Sequence, residues 1–326
     1  MTSVVIWLNK ESENPVLWGL ADTRITSLRI GGGVSRILDT YPKIYELPIK
    51  VSADLAHFRY SRIHSYGIAF AGSTLLASAT KEIVTFLCSN LSLSTPLDFE
   101  IPINFKKAIN YSIKETNEYN EELRNQLPAL SEFVETIRNV LNQVIESYIK
   151  NQPNSDFNGL EFCVFGYCLQ LKKFCAYNLR CIMFEDTDAE DNPFTNYSIN
   201  IDNKIFDENS ENLEFILLGD RKEQIHSLIE EKKQELEKSR GYQYWRSPCY
   251  VMDDILDGDY LLTIGSSAQL LRVDERNAQC VGISTTNTEM NYYGFKLLKF
   301  KDGEFTMQGF RNYIFTPNTL KLGFKD

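Results

Sequence analysis

Thr2 is the first residue of this chain whose side chain could do chemistry, and the polar residues that follow it are of the types that chemistry needs. Threonine is small enough at the second position for a methionine aminopeptidase to remove Met1. Trimming would leave a hydroxyl and a free α-amine on one residue. A threonine hydroxyl is a poor nucleophile until a base takes its proton, and an α-amine can be that base. The amine titrates near ~8, well below a lysine side chain, so a useful share is neutral at physiological pH. A neighbouring cation lowers that value further by disfavouring the ammonium form. Lys43 is the candidate cation. Asp22 is its candidate counter-charge, because a lysine shut away from water alone is costly. Gly72 is the candidate oxyanion donor, since glycine lets a substrate approach the main-chain N–H closely. The β-methyl of Thr2 restricts its rotamer and aims the oxygen.

These side chains need elements to hold them. Ser3 to Leu8 reads as a buried strand starting at the terminus, and Val16 to Ala21 as a second strand, joined by the polar turn Asn9 to Pro15. Asp22 lies just past the second strand, so a hairpin returns it beside Thr2. Ile68 to Gly72 is a further apolar run. It leads into a helix over Thr74 to Ser89, where Leu76, Ala79, Ile83, Phe86 and Leu87 follow helical spacing. Gly72 then sits at a strand-to-helix junction, where backbone amides are free to bind an anion.

The order of Thr2 leading a strand, Ala21-Asp22-Thr23-Arg24-Ile25-Thr26, Lys43-Ile44 and Ala71-Gly72-Ser73 before a long helix resembles a proteasome β-type subunit. That family belongs to the N-terminal-nucleophile (Ntn) hydrolase superfamily, and the resemblance covers residues 1–90 best. It implies a catalytic threonine, aspartate, lysine and oxyanion glycine at Thr2, Asp22, Lys43 and Gly72, and pocket-lining positions at Thr26, Phe70 and Thr74. Later segments match more loosely: Glu161 to Tyr167, Phe215 to Asp220 before a helix, and Leu261 to Ser267. Within the last of these Ser266, and just before it Asp259, are the implied supports of the terminal amine. The resemblance further implies a four-layer αββα sandwich, a homo-oligomer and an unfoldase or regulatory partner. No propeptide is evident before Thr2, so its exposure is expected from Met1 removal alone. No cofactor and no metal are implied. The superfamily also contains inactive scaffold subunits and acylases of small amides, so a non-catalytic scaffold and a small-amide hydrolase stand as alternatives to a peptidase.

Composition restricts the other classes. The chain has 326 residues, 43% hydrophobic and 24% charged, as expected of a globular protein. Its net charge of −10 argues against a nucleic-acid or anionic membrane partner, which would need clustered cations. The first twenty residues lack the basic start of a secretory signal, and no apolar run approaches a membrane span, so a cytoplasmic location is expected. The seven cysteines are odd in number, lie mostly in apolar runs and form no C-x-x-C pair. They read as reduced core residues. With only His57, His64 and His226, no zinc spacing and no nucleophile elbow appears. Gly31-Gly32-Gly33 reads as a hairpin turn rather than a phosphate cradle, because no Gly-Lys-Ser/Thr follows.

Along the chain, strands and one helix are expected over residues 1–90, and helix in two pieces over 104–152. The second piece is marked by Leu130, Phe133, Val134, Ile137, Val140, Leu141, Val144, Ile145 and Tyr148 after Pro128. Strands follow at 160–170 and 173–184, then an acidic loop over Glu185 to Asn196, a strand at Phe215 to Leu218 and a charged helix at 221–240. Arg240 to Pro248 reads as irregular. Strands at about 260–264, 269–273, 279–284, 293–300 and 304–315 complete the chain. This order predicts an α+β protein, and the length is compatible with one large domain or two smaller ones. The chain is longer than the proteasome β-type subunits it resembles, and the resemblance implies a single domain over 1–326 with a helical insertion at about 91–157.

Overall fold

The computed structural model describes residues 3–28, 34–52, 60–92, 120–152, 159–184, 196–258, 264, 267–284, 289–292, 295–298, 307–308, 314–315 and 319–321. Within them the chain is a mixed α/β fold dominated by strands. Strand β1 (Ser3–Asn9) and strand β2 (Val16–Asp22) form a hairpin in which all fourteen residues are buried. A short hairpin follows, β3 (Ile25–Leu28) with β4 (Val34–Leu38). The long strands β5 (Ile44–Ser52) and β6 (Tyr60–Gly72) pair next, and β6 runs into helix α1 (Thr74–Cys88). After the two-residue β7 (Leu91–Ser92), residues 120–125 are helical and helix α2 spans Leu130–Asn151. The hairpin β8 (Leu160–Cys168) and β9 (Lys173–Phe184) is extended by β10 (Asn196–Ile205). Then come β11 (Phe215–Gly219), α3 (Lys222–Arg240), a 3₁₀ segment at Gly241–Arg246, and α4 (Ser247–Gly258). The chain closes with β12 (Ala268–Val273), β13 (Ala278–Ser284), β14 (Glu289–Tyr292), β15 (Phe295–Leu298) and three strands of two or three residues, one of which, Thr319–Lys321, pairs with β13.

The strands form two main sheets. One has the order β11-β1-β2-β12-β13-β14-β15; the other runs β10-β9-β8-β6-β5-β7. Nearly all neighbours are antiparallel, as short hairpin connections require. Three apolar clusters record the packing. Val4, Ile6, Leu8 and Leu17 of the first sheet meet Ile44, Ala69, Cys163 and Phe165 of the second. On the other face of the six-stranded sheet, Leu76 and Val84 of α1 and Phe133, Ile137 and Leu141 of α2 pack on Tyr66, Ile68 and Phe162. On the other face of the first sheet, Ile225 and Ile229 of α3 and Met252 and Ile255 of α4 pack on Val5, Trp7 and Trp18. Gly19 and Gly67 let the sheets approach: a Cβ on either would meet the Phe165 ring at 2.7 or 2.5 Å.

Several expectations change in detail. In α1 the buried face is Leu76, Ala77, Thr80, Val84 and Cys88, while Ile83, Phe86 and Leu87 of the expected stripe are exposed. In α2 seven residues of the expected stripe are buried, while Val144 and Tyr148 are half-buried at its edge. The helix begins after Pro128, and the Glu132 carboxylate accepts the Ala129 N–H at 3.0 Å. Strand β10 and helix α4 were not expected. The acidic stretch 185–195, the strand at 260–263, the first helical piece up to residue 119 and His57 lie outside the described residues.

Candidate active site

The first hairpin brings Asp22 to the head of β1. Val4 stands opposite Ala21, so the next register step sets Ser3 beside Asp22. The Ser3 N–H donates to Asp22 Oδ1 at 2.9 Å, and the Arg24 N–H donates to Oδ2 at 3.1 Å. Lys43, just before β5, inserts its Nζ against both oxygens at 3.0 and 3.1 Å and also donates to the Arg24 carbonyl. Asp22 is 0% and Lys43 1% exposed. Two opposite charges in full burial are tolerable because each is paired and hydrogen-bonded. Burial lowers the Lys43 pKa from its ordinary value, while Asp22 and Asp220 oppose that shift.

The surroundings fix this pair. The Lys43 N–H donates to Gln269 Oε1 at 2.6 Å, and Gln269 stands on β12, which pairs with β2. Arg24 is clamped by Asp39 Oδ1 at 3.0 Å and the Ile264 carbonyl at 3.2 Å. The Thr23 hydroxyl donates to the Asp39 carbonyl and accepts the Ser267 N–H. Asp220 follows the last residue of β11. Gly219 (φ +89°) and Arg221 (φ +56°) flank it in the left-handed region, and the Gly219 N–H donates to Glu161 at 2.9 Å. Asp220 Oδ2 is buried with no hydrogen-bond partner. Its pKa is raised, by burial first and by the Asp22 charge, against Arg221 and Lys43.

Of the residues singled out from the sequence, Asp22 and Lys43 are brought into contact. Thr2, Asp259 and Ser266 lie outside the described residues. Gly72 closes β6 opposite Leu160, with φ +96°, and a Cβ there would lie 2.4 Å from the Gly159 carbonyl oxygen. Backbone geometry therefore requires glycine at this junction. Thr74 is half-buried at the start of α1 and Thr26 half-buried in β3. The Phe70 ring is buried under α1, stacked on Tyr45 at 6.1 Å. Sequence reasoning missed Gln269 and Asp220. Asp220 had a signal, an aspartate directly after a strand-ending glycine; Gln269 had none, since only sheet pairing brings it near.

Among the described residues, no group of three His, Cys, Asp or Glu side chains could hold a metal ion. Six cysteines are buried and Cys280 is partly so; burial raises the thiol pKa of Cys88, Cys175 and Cys181 to about 12. The His64 ring lies against the Tyr167 carbonyl, and His226 lies against Phe215. No described helix is long and apolar enough to cross a membrane.

No protein-family model matches this sequence, and no curated protein matches it. Among solved structures, the Anbu complex from Pseudomonas aeruginosa, described as a helical assembly, is similar over 84% of this chain and 81% of its own, with 12% identity and a TM-score of 0.42. Anbu from Yersinia bercovieri, described as an ancestral beta-subunit, is similar over 86% of both chains, with 8% identity and a TM-score of 0.42. An Anbu (Gly-1) mutant from Hyphomicrobium sp. strain MC1 shares 13% identity at a TM-score of 0.40, over 84% of this chain and 82% of its own. These findings correct the resemblance drawn from the sequence: the similar structures are Anbu proteins rather than proteasome β-type subunits or Ntn hydrolases in general. At such low identity and TM-score they say nothing about activity in this chain.

Proposed function

We propose that this protein is a threonine hydrolase of amide bonds, with Thr2 as nucleophile once Met1 is removed. The observation that carries the reading is the fully buried Asp22–Lys43 pair at the head of β1, whose carboxylate also accepts the Ser3 N–H. Thr2 precedes Ser3 in the chain, and in this reading it works beside the buried Lys43 cation. In this reading Thr2 Oγ attacks the amide carbon, and the terminal amine takes the hydroxyl proton and passes it to the departing amine. Water then cleaves the ester left on Thr2 and returns the site to its starting state. The Lys43 charge favours the neutral form of the amine. The Gly72 N–H stabilises the oxyanion, and Asp259 and Ser266 support the amine. Thr26, Phe70 and Thr74 are the proposed pocket positions.

We also propose that the two sheets form the middle of a four-layer αββα arrangement. The apolar cluster between them and the helices on both outer faces support this.

The test is the intact mass of the purified protein, with and without a peptide epoxyketone, which needs both the hydroxyl and the free amine of a terminal threonine. Loss of Met1 and one adduct, both adduct and turnover being lost in Thr2→Ala, is the expected result. Retained Met1 and no adduct would overturn the reading in favour of a non-catalytic scaffold.

A further inference from the structure

Strand β11 is an edge of its sheet, and the direction of its backbone groups can be worked out. Leu8 N–H donates to the Glu214 carbonyl, which makes Leu8 and Glu214 a hydrogen-bonded pair of the β1–β11 ladder. Such pairs recur every second residue in an antiparallel ladder, so Ile216 and Leu218 also bond to β1. Phe215, Leu217 and Gly219 therefore point their N–H and C=O groups away from β1. The Gly219 N–H confirms that parity, because it is met on the outer side by Glu161. No described strand pairs with this outer edge.

The edge borders a cleft of about 240 Å³ lined by Ile216 and Leu217, by Asn178 and Arg180 of β9, by Lys204 of β10 and by Lys222 of α3. Asn178 is 5% exposed, and its Oδ1 has no hydrogen-bond partner; the Arg180 Nε is also buried without one. These two are an acceptor and a donor, two residues apart on one face of β9. A carboxamide or peptide group, which carries both a donor and an acceptor, complements them, whereas a simple anion or cation satisfies only one. The nearby cations do not favour an acidic ligand: Arg180 is paired with Asp202, Lys222 with Glu161 and, more loosely, Lys204 with Glu214 at 3.8 Å.

We propose that the outer edge of β11 is a docking site for an extended polypeptide, which adds as a strand to Phe215 and Leu217 and places a carboxamide against Asn178 and Arg180. Strand addition takes its affinity from main-chain hydrogen bonds and its selectivity from alternate side chains. The edge is short and flanked by charged side chains, which limits unspecific sheet-to-sheet pairing. The proposal does not rest on the catalytic reading, and its test reads binding rather than turnover.

The probe is a fluorescein-labelled peptide of alternating threonine and asparagine, followed by fluorescence anisotropy on the full chain. The same peptide with N-methylated amides is the control, because methylation removes the donors of a pairing strand. The unmodified peptide is expected to bind and the methylated one not to. Leu217→Pro removes one outward N–H at an edge, where proline is tolerated, and is expected to weaken binding about tenfold. Asn178→Ala is expected to weaken it to a smaller extent. No binding of the unmodified peptide overturns the proposal, as does equal binding of both peptides. Equal binding by folded Leu217→Pro also overturns it. If that variant does not fold, the peptide comparison on the unaltered protein decides alone. Epoxyketone labelling of Thr2 is read separately, so failure of the catalytic reading and failure of the docking edge are distinguishable.

Discussion

Lys43 is buried, so its energetics depend chiefly on the Asp22 carboxylate that pairs with it. Removing either partner leaves an uncompensated buried charge, which costs about 3–5 kcal/mol. Lys43→Met and Asp22→Asn are each expected to lower stability by about that much, and the double variant to lose less than the sum of the two. Urea unfolding of the four proteins measures this; simple additivity would show that the pair is not coupled. His64 gives a second residue-level prediction. Burial, with a lesser contribution from Arg124, lowers its pKa from 6.5 to about 4. Between those values the unfolded chain binds a proton that the folded chain does not. Stability therefore falls as pH drops from 6.5 towards 4, by up to ~3 kcal/mol, and the effect is absent above 6.5. His64→Gln is expected to lose this component, seen as a smaller difference between urea midpoints at neutral pH and at about pH 4.

At the scale of elements, the junction of β6 with α1 depends on Gly72. Its φ of +96° and the Gly159 oxygen 2.4 Å from an added Cβ leave an alanine no comfortable conformation. Gly72→Ala is expected to cost about 2–3 kcal/mol, read as a lower thermal midpoint whatever its effect on turnover. The elements legible in the sequence were those whose signals are local. Helix α2 shows an uninterrupted 3.6-residue stripe after Pro128, and the β1–β2 hairpin places Asp22 through a short turn. Helix α4 was hidden by Pro248, which reads as a breaker; it occupies the second residue of Ser247–Gly258, in the first turn, where the missing N–H costs nothing. Strand β10 alternates Tyr197, Ile199 and Ile201 with polar residues, but its asparagines and aspartate mask the pattern. Helix α1 was legible as a helix but not in its facing, because its inward side includes Thr80 and its outward side Phe86. The site divides the same way. Asp22 and Lys43 are near in sequence, whereas Gln269 reaches Lys43 only because β12 pairs with β2 across more than two hundred residues.

At the scale of the whole molecule, one apolar cluster holds residues of both sheets, and in the proposed four-layer arrangement it ties together the clusters that α1 and α2 form on one sheet and α3 and α4 on the other. That architecture leads us to propose a single cooperative unit rather than two domains. The tryptophans make this testable, because Trp7, Trp18 and Trp245 all lie in the cluster beneath α3 and α4. Ile137 is 1% exposed in the opposite cluster, beneath α2. Ile137→Ala removes buried methyl groups there and is expected to cost about 2–5 kcal/mol. If the sheets fold as one body, tryptophan fluorescence, which views only the far side, shifts to lower urea by the same amount as far-UV circular dichroism. A fluorescence transition unmoved by Ile137→Ala, with circular dichroism splitting into two steps, would mean that the six-stranded sheet with α1 and α2 folds independently, and the single-domain assignment would fall with it.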